Sequence, residues 1–172
     1  LTGKYTVRDG TSRIAFGAFG WNALTEVALP DSVAVIDGLA FCGCTGLNEI
    51  VIPAGVKEIG NLAFYNCENL KAVYFLGNAP ETVGECAFQM HYYDDATETY
   101  SDINIPGLTL YYLEGASGWT SPTWGADAYP TAVWKPSGYF DVKPGSWYEQ
   151  SVQYATEHGL MNGTDTNTSP CR

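Results

Sequence analysis

Leu24, Leu47 and Leu70 open three stretches of the chain that align along their whole length. The units read LTEVALPDSVAVIDGLAFCGCTG, LNEIVIPAGVKEIGNLAFYNCEN and LKAVYFLGNAPETVGECAF, with their first residues 23 apart. Val27, Ile50 and Val73 keep that spacing, as do Leu29, Ile52 and Phe75. Later in each unit come Ile36, Ile59 and Val83, then Ala40, Ala63 and Ala87, then Phe41, Phe64 and Phe88, the third unit having one extra residue before Val83. A degenerate copy precedes these, with Tyr5, Val7, Ile14, Ala18 and Phe19 at the corresponding places and Thr2 where the Leu would stand. A repeat this short cannot enclose a core of its own. Its copies must stack to hide one another's apolar edges, and that restricts the fold to a solenoid.

Each unit begins with alternating apolar and polar residues, the period-two pattern of a half-buried strand, and in the units that start at Leu24 and Leu47 the strand ends at Pro30 and Pro53. The pattern points Leu47, Ile50 and Ile52 inward and Glu49 and Val51 outward. The apolar residues Val56, Ile59, Leu62, Ala63 and Phe64 then recur about every third position, which suits a turn, a short helix or a 3₁₀ piece. Burying one Leu or Ile is worth roughly 1.5–3 kcal/mol, so a single unit is unstable and a parallel stack about 4.8 Å per step is expected.

These residues resemble the BspA-type leucine-rich repeats of bacterial surface proteins through Leu47, Ile50, Ile52, Pro53, Val56, Ile59, Gly60, Ala63, Phe64 and Cys67. The resemblance covers roughly residues 2–134. It implies an α/β leucine-rich-repeat right-handed solenoid, with short parallel strands joined by turns or short helices, and a role in adhesion and partner binding.

The period fails after Phe88. QMHYYDDATETYSDINIP is acidic and aromatic and reads as an insertion or loop, so the repeats with their acidic loop are assigned to 1–102. LTLYYLEG reads as a last strand, and 103–134 as a C-terminal cap in which Trp119, Trp124 and Trp134 cover the final rung. In 135–172, Ser146 and Glu149 form a capping-box pattern, Tyr148, Val152 and Ala155 share a helix face, and Gly159 stands where the helix stops. This segment resembles the first part of an S-layer homology motif through Phe140, Asp141, Val142, Trp147, Val152, Ala155, Gly159, Leu160, Met161, Gly163 and Pro170. The resemblance implies a small helical fragment. It also implies a longer parent protein anchored to bacterial cell-wall polysaccharide by complete modules of this kind. The family's second helix and polymer-holding signature do not follow here, so the fragment itself is not expected to bind the wall.

Composition narrows the function. A net charge of −11 with only 8 Lys+Arg repels a phosphate backbone and gives no attraction to anionic lipid, so nucleic acid and membrane are not expected partners. No run of about 18 apolar residues is present, and no basic-then-apolar signal segment opens the chain. Leu1 falls at the edge of a repeat, so the natural N-terminus is expected upstream.

The five cysteines are Cys42, Cys44, Cys67, Cys86 and Cys171. Cys44 and Cys67 share a repeat position, which makes buried, inert thiols the expected reading, with a disulfide between adjacent rungs left open. No Cys-x-x-Cys or His partner stands at zinc spacing, and Asp94, Asp95 and Glu98 lack an EF-hand pattern. A Cys86–His91 pair with Asp94 or Asp95 has no flanking signature of nucleophilic catalysis. No cofactor, metal or catalytic residue is assigned, and hydrolysis by 1–134 would require a carboxylate pair in a cleft.

The candidate ligand-binding residues are Glu26, Glu49, Lys71 and Tyr74 on the exposed strand face, with Ala28 and Val51 beside them, and Tyr92, Tyr93, Tyr111 and Tyr112 in an aromatic cluster with Tyr100. Protein or glycan is the expected ligand class. The alternative is a rigid, non-catalytic spacer projecting another domain from the wall.

Overall fold

The computed structural model describes residues 1–134. The stretch 135–172, with the S-layer-homology reading and Cys171, lies outside the described residues. Residues Leu1–Trp134 form one unit, a parallel β-solenoid.

Each of the first four turns contributes a longer and a shorter strand. These are β1 (Thr2–Thr6) with β2 (Arg13–Ile14), β3 (Ala23–Ala28) with β4 (Val35–Ile36), β5 (Glu49–Ile52) with β6 (Glu58–Ile59), and β7 (Ala72–Phe75) with β8 (Thr82–Val83). Two strands then form a hairpin, β9 (Gln89–Asp94) and β10 (Thr99–Asn104), before β11 (Thr109–Leu113), β12 (Thr123–Trp124) and β13 (Tyr129–Trp134). The short strands stack in parallel as β2-β4-β6-β8, with Ile14, Ile36, Ile59 and Val83 in one column. Among the long strands β1 pairs with β3, and β5, β7, β11 and β13 run parallel as neighbours. Tyr5 faces Val27 across the first pair, so the degenerate copy is a full rung.

The core is a set of columns running through the stack. Leu24, Leu47 and Leu70 are all buried, as are Val27, Ile50, Val73 and Leu110. Phe19, Phe41, Phe64 and Phe88 lie flat on one another, with centroids 5.2, 5.0 and 5.1 Å apart and planes within 12°. A repeat of one rung height brings equal side chains to ring-stacking distance, so one aromatic per unit builds a continuous column.

The connecting turns contain no helix among the described residues, which corrects the α half of the α/β expectation. The cause is local. Gly17, Leu39, Leu62 and Cys86, each two residues before the column Phe, have φ of 64, 57, 60 and 53°, and Trp21, Gly43 and Asn66, two residues after it, have 57, 69 and 57°. A left-handed residue breaks the i to i−4 ladder, so what starts as a helical turn is redirected twice in each rung.

The acidic segment after Phe88 is an antiparallel hairpin rather than a loop. The repeat places only Tyr65 and Asn66 between Phe64 and Cys67; both hairpin strands fill the same step between Phe88 and Ile105. Beyond it the rung resumes. Leu108 N donates to Ile105 O as Leu70 N does to Cys67 O and Leu47 N to Cys44 O. LTLYYLEG is not the last strand, because β13 adds a further parallel neighbour to β11, and β12 folds back on it antiparallel.

Candidate interaction surfaces

The strand face carries less open surface than its alternation suggests. Glu26 is ion-paired with Lys4 at 2.5 Å, whereas Glu49 is exposed. Lys71 is exposed, and its Nζ donates to the carbonyl of Pro106 at 2.7 Å, which ties β7 to the returning chain. Val51 was expected to face water and is buried; its register partner is Tyr74, a side chain large enough to lie over it. Tyr74 stacks on Tyr111 at 5.1 Å, and Trp134 leans on Tyr74 at 5.1 Å. Tyr74 and Tyr111 are register partners on neighbouring strands and Trp134 reaches Tyr74 from β13, one strand further, so part of each ring's area is covered by mutual packing.

Tyr112 does not belong to this surface. It alternates inward in register with Phe75, is 9% exposed, and stacks on Trp119 at 5.2 Å. Trp119 also packs on Phe75 and Trp124, with centroids 4.6 and 4.5 Å away. The three tryptophans therefore close the strand side of the core and the outer strand face. The phenylalanine column is closed by another residue, Tyr129, whose ring stands edge-on to Phe88.

The aromatic cluster expected around the insertion is two separate groups. Tyr74, Tyr111 and Trp134 belong to the long-strand sheet; Tyr92, Tyr93 and Tyr100 belong to the hairpin. Register places His91 opposite Asp102 and Tyr93 opposite Tyr100 on one hairpin face, and Met90 opposite Ile103 and Tyr92 opposite Ser101 on the other. His91 stacks on Tyr100 at 4.8 Å, and Tyr93 meets Tyr100 at 4.7 Å.

The base of the hairpin is bolted to the solenoid. Met90 packs against the core. His91 N donates to Asn66 Oδ1 at 2.8 Å, and Tyr65 Oη–H donates to Asp102 Oδ1 at 2.6 Å, with His91 Nδ1 3.4 Å from the same oxygen. Gln89 reaches Asn104, whose amide donates to Asp127 O. Burial and the nearby Asp102 carboxylate push the Tyr65 phenol up to about 12, while the Tyr65 hydroxyl holds Asp102 below the usual carboxylate range. The structure brings His91 to Asp102, not to Cys86 or Asp94.

Cys44 and Cys67 are free thiols, each donating to a phenylalanine carbonyl one rung back, Phe19 O at 3.0 Å and Phe41 O at 3.1 Å. Burial pushes Cys44 up to about 11 and Cys67 further still. Among the described residues no group of three His, Cys, Asp or Glu side chains converges as a metal site, and no helix is long and apolar enough to cross a membrane.

The stacked columns and the recurring turn define a leucine-rich-repeat solenoid. The family model for the BspA type leucine rich repeat region matches residues 12–107 in six copies, more than half of the chain, and the chain belongs to that family. No curated protein matches. The crystal structure of a leucine rich cell surface protein from Faecalibacterium prausnitzii A2-165 is similar, at 23% identity and a TM-score of 0.43. The match covers 67% of this chain and 36% of that one.

Proposed function

We propose that this chain is a non-catalytic binding segment of a bacterial cell-surface protein, displayed outside the cell and recognising a protein or glycan by surface complementarity. The observation that carries this reading is the hairpin. A two-stranded ribbon is marginal by itself, yet here it is fixed at its base by Tyr65, Asn66 and Met90 and leaves three tyrosines in solvent. Exposed aromatics on a rigid support suit a recognition surface. Membership of the BspA-type family agrees with display at the surface. The likeness of 139–170 to an S-layer homology motif supports attachment of the parent to wall polysaccharide.

The test is a screen of the full chain against immobilised extracellular proteins and glycans. Saturable binding that is lost when Tyr93 and Tyr100 are replaced by Ser supports the reading, and an empty screen overturns it. A rigid spacer is the second reading, favoured by the uninterrupted phenylalanine column from Phe19 to Phe88. It expects an empty screen from this chain and activity in another domain of the parent.

A further inference from the structure

The hairpin has a chemistry that narrows its partner. Tyr92, Tyr93 and Tyr100 are 45, 42 and 67% exposed, three large aromatic side chains left open on one ribbon. Asp95 and Glu98 stand in the connection between the two strands, Asp94 ends β9 with its carboxylate accepting from Ala96 N, Asp102 lies on the same ribbon face as Tyr93 and Tyr100, and the segment 89–104 contains no Lys or Arg. The chain as a whole carries −11. A glycan platform would offer open ring faces to a sugar and needs no such charge. Here the groups around the three rings are carboxylates.

Resting on the binding-segment reading above, we propose that the β9–β10 ribbon docks an arginine- or lysine-bearing protein segment. Cationic side chains would lie against Tyr93 and Tyr100 and pair with Asp95 and Glu98 in the connection between the strands. A guanidinium is attracted by the tyrosine ring and by the carboxylates at once, and it is weakly hydrated enough to leave water for both. The fixed base removes most of the ordering cost that a free ribbon would meet on binding. The negative field of the chain speeds encounter with a cationic partner and disfavours an acidic one.

The experiment uses the full chain and a fluorescent peptide of repeated Arg-Gly-Ser, with a Gln-Gly-Ser control, read by anisotropy at physiological salt. The expected result is binding of the arginine peptide alone. Affinity should fall about tenfold in a Tyr93→Ser/Tyr100→Ser variant whose charge is unchanged. A second variant, Asp95→Asn/Glu98→Gln, is expected to weaken binding and flatten its salt dependence. Both alter only the outer ribbon, and retention of the cooperative unfolding transition checks that each still folds. If the tyrosine variant binds as well as the parent chain, attraction is by bulk charge and the proposal is overturned. If the arginine peptide does not bind while a glycan or an uncharged protein does, the cationic partner is overturned and the binding-segment reading stands. If nothing binds, both fall.

Discussion

Tyr129 meets Phe88 edge to face, with ring centroids 5.3 Å apart and planes at 84°, where every ring before it in the column lies flat on its neighbour. The turned ring ends the stack. Its hydroxyl donates to Asp127 Oδ2 at 2.6 Å and accepts from Phe88 N, so the edge-on pose also satisfies the last backbone donor of the column. Tyr5 stands at 61° to Phe19 at the other end, but it is 40% exposed, whereas Tyr129 is 1% exposed.

Phe64→Ala removes the middle of the column and should cost about 3–5 kcal/mol, the usual loss for a buried Phe that leaves a cavity. Tyr129→Phe keeps the ring and loses only the hydroxyl, leaving Phe88 N and Asp127 without that partner; a loss of about 1–3 kcal/mol is expected. Urea unfolding curves of the two variants check the order. Equal losses would mean that the terminal hydroxyl matters as much as a whole buried ring.

Gly60→Ala is expected to be among the most damaging small substitutions. A methyl there would sit 2.4 Å from Gly38 N and 2.8 Å from Asp37 C, both backbone atoms of the preceding rung. Rungs cannot separate locally without breaking the ladder between Ile36 and Ile59, so a loss at or above about 3 kcal/mol is expected. Gly17→Ala is the control. It has open space and only a left-handed φ of 64°, for which about 1 kcal/mol is expected.

Thiol labelling should separate the cysteines by depth. In a Cys171→Ser background at mild alkaline pH, Cys86 should react first, because it is only partly covered, and Cys44 and Cys67 only after unfolding. The folded Cys44 thiol ionises at about 11, above its ordinary 9.0. Its protonated form therefore contributes stability that is fully present below pH 9 and is lost as pH rises through 11. Prompt labelling of Cys44 in the folded chain would contradict its burial.

The Tyr65–Asp102 bond sets a pH window for the hairpin base. Tyr65 is raised from 10.0 to about 12, so its contribution is full below pH 10 and is lost as pH climbs through 12. Asp102 is lowered from 3.8, so its contribution is present above that value and is lost as pH falls through its folded range. Tyrosinate absorbance should show a component near pH 12 from Tyr65, and Tyr65→Phe should remove it. A titration unchanged by Tyr65→Phe would show that the bond does not form in solution.

The repeat, the inward columns and the rung-like character of the first copy are legible in the sequence. Each follows from spacing, and spacing survives whatever the turns do: Leu24, Leu47 and Leu70 had to coincide once their neighbours paired. The open side of the fold was harder to read. Val51 and Tyr112 alternate or cluster like surface residues, and burial came from neighbours on other rungs, Tyr74 in register with one and Trp119 stacked on the other. The missed continuation after the hairpin had a signal, since Ile105 and Leu108 repeat the spacing of Cys67 and Leu70, and Leu110 and Tyr112 that of Val73 and Phe75, with one residue fewer between the Leu and the strand's first inward residue.

By itself the sequence determined the period, the strand in each unit and which side chains share a column, because a side chain's place along a repeat is set by counting. The tertiary structure alone decided that the turns are not helical, that the acidic insertion is a ribbon anchored by Tyr65 and Asn66, and that Tyr129 closes the aromatic column. Those outcomes depend on left-handed backbone angles and on partners many residues away, and neither is written in a local pattern of apolar and polar residues.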